Sequence, residues 1–138
     1  MNLPFLQQRY SEHFCLKPMA ADLLLPGPKL IRLRQAFGSS IAFFSVAMFQ
    51  ELEANHVFIL DDKEKAAYFQ NDFESISNAL DICLFPDSYK KTGQIGELNS
   101  SHVMLRAEAL MKLNQEHARR KVLITYPEAI FEKVVNTN

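Results

Sequence analysis

The sequence predicts an open α/β fold, a mainly parallel sheet with helices on both faces. Three observations lead there. Short runs rich in Val, Ile, Leu and Phe, at 30–33, 56–60, 82–85 and 121–125, each precede a segment of helical length. Most of those runs are continuously apolar rather than alternating, as strands are when both faces of a parallel sheet are covered. Strand and helix alternate along the chain, so parallel strands with right-handed crossovers are the economical connection. Composition agrees. Of 138 residues, 48% are hydrophobic and 22% charged, which excludes a disordered chain. With 15 basic and 16 acidic residues the net charge is −1, which argues against a strongly basic nucleic-acid binder and leaves room only for a local patch. No apolar run approaches the roughly 20 residues that span a bilayer. The opening Met1-Asn2-Leu3-Pro4-Phe5 lacks the charged-then-apolar order of a secretory signal.

Taken in order, residues 2–14 place Phe5, Leu6, Arg9, Tyr10 and His13 at helical spacing. Pro18 and then Pro26-Gly27-Pro28 break regular structure, the latter as a sharp turn feeding a strand. Leu30-Ile31-Arg32-Leu33 is the first strand candidate and only partly apolar. After Gly38-Ser39-Ser40, residues 41–54 carry Ile41, Phe44, Met48 and Leu52 on one helical face. Phe43, Val46, Ala47 and Phe49 make the other faces apolar too, so this helix expects cover on more than one side. His56-Val57-Phe58-Ile59-Leu60 is the second strand, and Asp61-Asp62 suit the first turn of a helix over 63–77. Ile82-Cys83-Leu84-Phe85 is the third strand, ended by Pro86. A polar loop follows over 87–97, then a helix over 101–117. Lys121-Val122-Leu123-Ile124-Thr125 is the fourth strand, and Pro127 starts a last helix over 128–135.

Cys15 and Cys83 stand 68 positions apart and make neither a disulfide framework nor a CxxC pair; they read as buried or half-buried thiols. His13, His56, His102 and His117 include no pair at metal-ligand spacing, and His13 beside Cys15 lacks two further ligands.

The chemistry of an open α/β sheet gathers at the carboxyl ends of its strands. Gln35-Ala36-Phe37-Gly38-Ser39-Ser40-Ile41-Ala42 follows the first predicted strand, where a phosphate loop GxxxxGK[ST] belongs. Gln35 and Ser40 take the places of the glycines, Ile41 that of the lysine and Ala42 that of the hydroxyl residue. Isoleucine brings no charge to a terminal phosphate, and alanine cannot hold magnesium. What remains is a helix N-terminus with Gly38-Ser39-Ser40, an ordinary strand-to-helix turn or a weak anion site. There is no GxSxG elbow and no GxGxxG. Asp61-Asp62 reads as a helix cap rather than the acidic pair of a phosphorylatable receiver, and Arg119-Arg120-Lys121 as a solvated helix end.

Four landmarks stand in one order: Phe37-Gly38-Ser39-Ser40, Leu84-Phe85-Pro86-Asp87-Ser88-Tyr89, Leu105-Arg106-Ala107-Glu108-Ala109-Leu110 and Ile124-Thr125-Tyr126-Pro127-Glu128-Ala129-Ile130. Together they resemble the N-terminal region of the bacterial transcription-repair coupling factor over residues 20–135. That region is similar to the first motor domain of UvrB, the helicase subunit of nucleotide excision repair. The resemblance implies a P-loop NTPase/UvrB-like module over 29–138 with a degenerate phosphate loop at Gln35, Gly38, Ser39, Ser40, Ile41 and Ala42. An N-terminal helix and Pro-rich lead-in would occupy 1–28, the whole being a fragment of a larger chain.

The function so implied is that of a non-catalytic scaffold domain, with no catalytic or metal-binding residue and no cofactor of its own. The full coupling factor is a cytoplasmic DNA translocase that displaces stalled RNA polymerase and recruits excision repair through UvrA. ATP and magnesium belong to its downstream motor, and the UvrA-binding surface mostly to the next domain. Neighbouring domains of the parent protein are the implied partners. UvrB inserts a DNA-threading hairpin between the second and third landmarks. Here Tyr89, Lys90, Lys91, Gly93 and Gly96 read instead as a surface loop too short for it. DNA binding is therefore expected to be weak or absent. The alternative is a stand-alone α/β nucleotide- or phosphate-binding enzyme, distinguished by affinity for ATP with magnesium.

Overall fold

Asn2 opens the first helix by accepting the Phe5 N–H on Oδ1 at 3.1 Å, an N-cap that satisfies a donor the helix leaves free. The structure, a computed structural model, describes residues 2–77, 81–89, 98–115 and 119–133. Those residues form two compact units, each taken by itself below.

The first unit holds α1 (Leu3–Ser11), α2 (Leu16–Leu23), α3 (Ser40–Glu51) and the C-terminal part of α4 (Lys63–Ile76). Pro18 does not break structure as the sequence suggested: it lies in the first turn of α2. A backbone N–H there has no intrahelical acceptor, so proline loses no bond. Gly27, at φ +94°, makes the expected turn between Pro26 and Pro28. Leu16, Ala20, Ala47, Met48 and Leu52 form a buried cluster with Tyr10, Met19 and Phe44 packed against it. Tyr10 stacks on Phe43 at 5.2 Å, and Phe73 meets Phe49 edge-on at 6.0 Å.

The predicted strand at Leu30-Ile31-Arg32-Leu33 is absent. The segment is extended but pairs with no strand among the described residues, and Leu30 is 83% exposed. In an extended chain Leu30 shares its side with Arg32 and Arg34. A strand covered on both faces would bury those two charges.

The second unit holds β1 (His56–Ile59), the N-terminal part of α4, β2 (Ile82–Phe85), α5 (Ser100–Leu113), β3 (Val122–Thr125) and α6 (Pro127–Phe131). Among the described residues the sheet has three strands, not four, all parallel in the order β1-β3-β2. His56 and Ile82 both stand beside Val122, and Phe58 and Leu84 both beside Ile124. Side chains alternate between faces, and helices lie on both. Phe69 of α4 packs on Phe58 at 5.0 Å, and Arg106 of α5 lies over the Phe85 ring on the other face. Asp62 caps α4 by accepting the Lys65 N–H at 2.8 Å, as its position suggested. Pro127 sits in the first turn of α6. That helix ends at Phe131, short of the expected 135; residues 134–138 lie outside the described ones.

Candidate functional site

Two places carry the sequence's chemical expectations, one in each unit. In the first, the turn from Gln35 to Ala42 closes on itself. Ser40 Oγ accepts the Phe37 N–H at 2.9 Å and donates back to Phe37 O at 2.6 Å. The main-chain N–H groups of Ser40 and Ile41 donate to Phe37 O and Gly38 O, each at 3.2 Å. Those are the donors a phosphate needs at a helix N-terminus, and here the loop's own carbonyls take them. Ser39, the N-cap of α3, makes no capping bond; its hydroxyl donates to Asp72 Oδ2 at 2.9 Å. Asp72 thus places a carboxylate beside the helix N-terminus, where it suits the dipole and repels a second anion. Ile41 is exposed, while Ala42 is buried.

The backbone of this loop is unusual at Gln35, whose φ is +62°; Gly38 follows at +54°. A left-handed residue with a Cβ costs roughly 1–2 kcal/mol. Gln35 already carries that cost, so Gln35→Val, whose β-branch fits the conformation worst, is expected to lie at least about 1–2 kcal/mol below Gln35→Gly. Gln35→Gly should hold or raise stability. Urea unfolding of the two variants checks the order, and a Val variant as stable as the Gly variant would remove the strain argument.

In the second unit, the second, third and fourth landmarks meet at the carboxyl ends of β2 and β3. Pro86, Asp87 and Ser88 leave β2, Tyr126 leaves β3, Arg106 and His102 come from α5, and Glu132 follows α6. Arg106 is only 7% exposed. Its Nη1 donates to Pro86 O at 2.7 Å and Ala129 O at 3.1 Å, and Nη2 reaches Glu132 O at 3.5 Å. Its Nε lies 3.8 Å from Glu132 Oε1, and its Cζ stands 4.1 Å from the Phe85 ring centre. A planar fork that serves several acceptors while it stacks on the ring is geometry that lysine cannot reproduce.

The Glu132 carboxylate in turn accepts the Ser88 N–H at 2.7 Å and the Ser88 hydroxyl. Tyr126 Oη accepts the Asp87 N–H at 2.9 Å and donates to the Asp87 carboxylate. His102 Nδ1 lies 2.6 Å from Asp87 O, and Thr125 Oγ1 donates to Phe85 O at 2.9 Å. Burial first, then the bond to Asp87, pushes the Tyr126 phenol far above its usual range. The crevice where open α/β sheets take ligands is thus spanned by bonds among the chain's own groups. Among the described residues no buried side-chain nitrogen or oxygen lacks a partner.

Sequence reasoning quoted Asp87, Arg106 and Tyr126 within landmarks but missed His102 and Glu132 as members of the cluster. The i, i+4 spacing of His102 and Arg106 on one helix was the available signal for the first. Glu132 had none, because its partners Ser88 and Arg106 are 44 and 26 positions away.

His13 Nδ1 lies 2.9 Å from Cys15 Sγ. Cys83 is buried, which pushes its thiol up from the ordinary value. Lys121 is not part of a solvated run: its Nζ donates to Leu113 O at 3.1 Å and Gln115 O at 2.9 Å, closing the end of α5. Tyr89 bridges Leu98 in antiparallel fashion, and Asn99 N–H donates to Ser88 O at 2.8 Å, so the described ends of the loop are tied together. Lys90, Lys91, Gly93 and Gly96 lie outside the described residues, as does His117. No helix is long and apolar enough to cross a membrane among the described residues.

Compared with protein-family models, with curated proteins and with solved structures, the chain gives no match.

Proposed function

We propose that this chain is a non-catalytic scaffold module of a transcription-repair coupling factor, built on a UvrB-like α/β unit with a degenerate phosphate loop. The observation that carries the reading is the loop from Gln35 to Ala42. It keeps the turn into a helix but uses its own serine, carbonyls and Asp72 where a nucleotide-binding loop keeps open donors and a lysine. The inward-bonded cluster around Arg106 supports the same reading, since its polar groups hold the ends of β2 and β3 to α5 and α6. Partners are then neighbouring domains of the parent protein, with UvrA, RNA polymerase and DNA engaged by the whole. The place of work is the cytoplasm.

The expected result is no magnesium-dependent ATP turnover and no saturable ATP binding by the purified chain. Turnover that disappears on changing Gly38, Ser39 or Ser40 would overturn the reading and favour a stand-alone nucleotide-binding enzyme. DNA binding should be weak, steeply salt-dependent and indifferent to damage, as phosphate contacts alone dictate. An anisotropy titration with intact and lesion-bearing duplexes tests this. Tight, lesion-selective binding lost in Tyr89→Ala would mean that aromatic stacking operates in this loop after all.

A further inference from the structure

β1 is an edge strand with an apolar outer side. Among the described residues its one neighbour in the sheet is β3. His56 and Leu60 donate their N–H groups to Lys121 O and Thr125 O, both at 2.9 Å. Val57 and Ile59, between them, therefore turn their main-chain groups away from β3. Their side chains share one face and are 58% and 60% exposed. Proteins blunt such edges with lysine, proline or a bulge, and His56-Val57-Phe58-Ile59 has none of these.

We propose that β1 pairs antiparallel with β1 of a second copy of this chain, about a two-fold axis at Phe58, so that two sheets join into one. The strand's own sequence selects that occupant. Centred on Phe58, Val57 faces Ile59 of the second copy and Ile59 faces its Val57. Both residues point outward, so each such pair exchanges both of its N–H···O bonds. The side chains that meet are β-branched, a favourable cross-strand pair. A slip by one residue would set outward-pointing groups against inward-pointing ones and lose the bonds.

One pair further out, Asn55 faces Asp61 of the second copy. Asn55 Oδ1 accepts the Lys121 N–H at 2.9 Å, and its NH2 is a donor that suits Oδ1 of the exposed Asp61 carboxylate, whose Oδ2 holds Lys65 Nζ. No like charges face each other across the axis. The contact is isologous, as two-fold dimers require. Two four-residue strands bury well under the roughly 1,200 Å² of a stable interface, so the dimer is weak and forms at high concentration.

Sedimentation velocity on the 138-residue chain, from about 5 µM to about 500 µM, should show the average mass rising from monomer toward dimer, as a small interface dictates. The doubly substituted Val57→Lys, Ile59→Lys chain should stay monomeric throughout with an unchanged urea midpoint, because both side chains are already more than half exposed. Amide exchange at Val57 and Ile59 should slow as concentration rises. A chain that is monomeric over the whole range overturns the proposal, as does a dimer that survives both lysines. If the lysine variant fails to fold, exchange in the unaltered chain decides: no concentration-dependent protection at Val57 and Ile59 overturns it.

Discussion

Arg106→Ala should lower the stability of the chain by about 3–5 kcal/mol, the cost of breaking a buried ion pair by removing one partner. That is a large part of the roughly 5–15 kcal/mol that holds a domain folded. The guanidinium serves the carbonyls of Pro86, Ala129 and Glu132, faces the Glu132 carboxylate and covers the Phe85 ring. Alanine leaves all of these without their donor and opens a cavity against Phe85. Arg106→Lys keeps the charge but cannot reach three carbonyls and a carboxylate from one planar group, so it should recover only part of the loss. The measurement is the shift in urea midpoint at constant slope. A loss below about 1 kcal/mol for Arg106→Ala would place the arginine among surface groups, and the inward-bonded cluster would no longer hold the strand ends.

Tyr126→Phe should cost about 2–4 kcal/mol, since one hydroxyl serves two buried groups at roughly 1–3 kcal/mol each when left unsatisfied. The ring stays and fills the same space, so the loss reports the bonds to the Asp87 N–H and carboxylate rather than packing. The same residue gives the chain an alkaline limit. Its folded pKa is raised by burial and then by the Asp87 bond, and burial raises that of Cys83 in the same direction. A group whose pKa is higher in the folded state binds its proton more tightly there. Its contribution is complete below the unfolded value and is lost as pH climbs toward the folded one. Stability from these two groups should therefore hold through neutral pH and fall above about 9, where an unfolded thiol and then a phenol begin to ionise. Tyr126→Phe should flatten the alkaline fall. An unchanged slope between about pH 9 and pH 11 would remove Tyr126 from that balance.

The order of elements was legible wherever the signal was local. The helix after Asp61-Asp62 starts where a side-chain carboxylate can take a free N–H, and Asp62 does so. The helix after Tyr126 starts at Pro127, whose missing N–H costs nothing there. The apolar runs that became β1, β2 and β3 were each visible from their composition, and so was their parallel arrangement. Pro18 misled because proline is a breaker only past the first turn, and the N-cap at Cys15 carries no side-chain capping bond to mark the start.

What the sequence by itself determined was therefore short-range: which segments twist into helices, which extend, and where several of them start. Capping, proline geometry and hydrophobic period act over a few residues, so they can be read along the chain. The tertiary structure alone decided three things. Leu30-Ile31-Arg32-Leu33 stays out of the sheet, because two arginines on its side cannot be covered. The turn from Gln35 to Ala42 is tied through Ser39 to Asp72, a partner 33 positions away. The landmark charges turn inward, Arg106 onto Glu132 and Asp87 onto Tyr126, across 26 and 39 positions. The reason is physical: a buried charge is tolerated only with a partner at hydrogen-bond distance, and distance in space between residues so far apart in the chain exists only once the strands have paired.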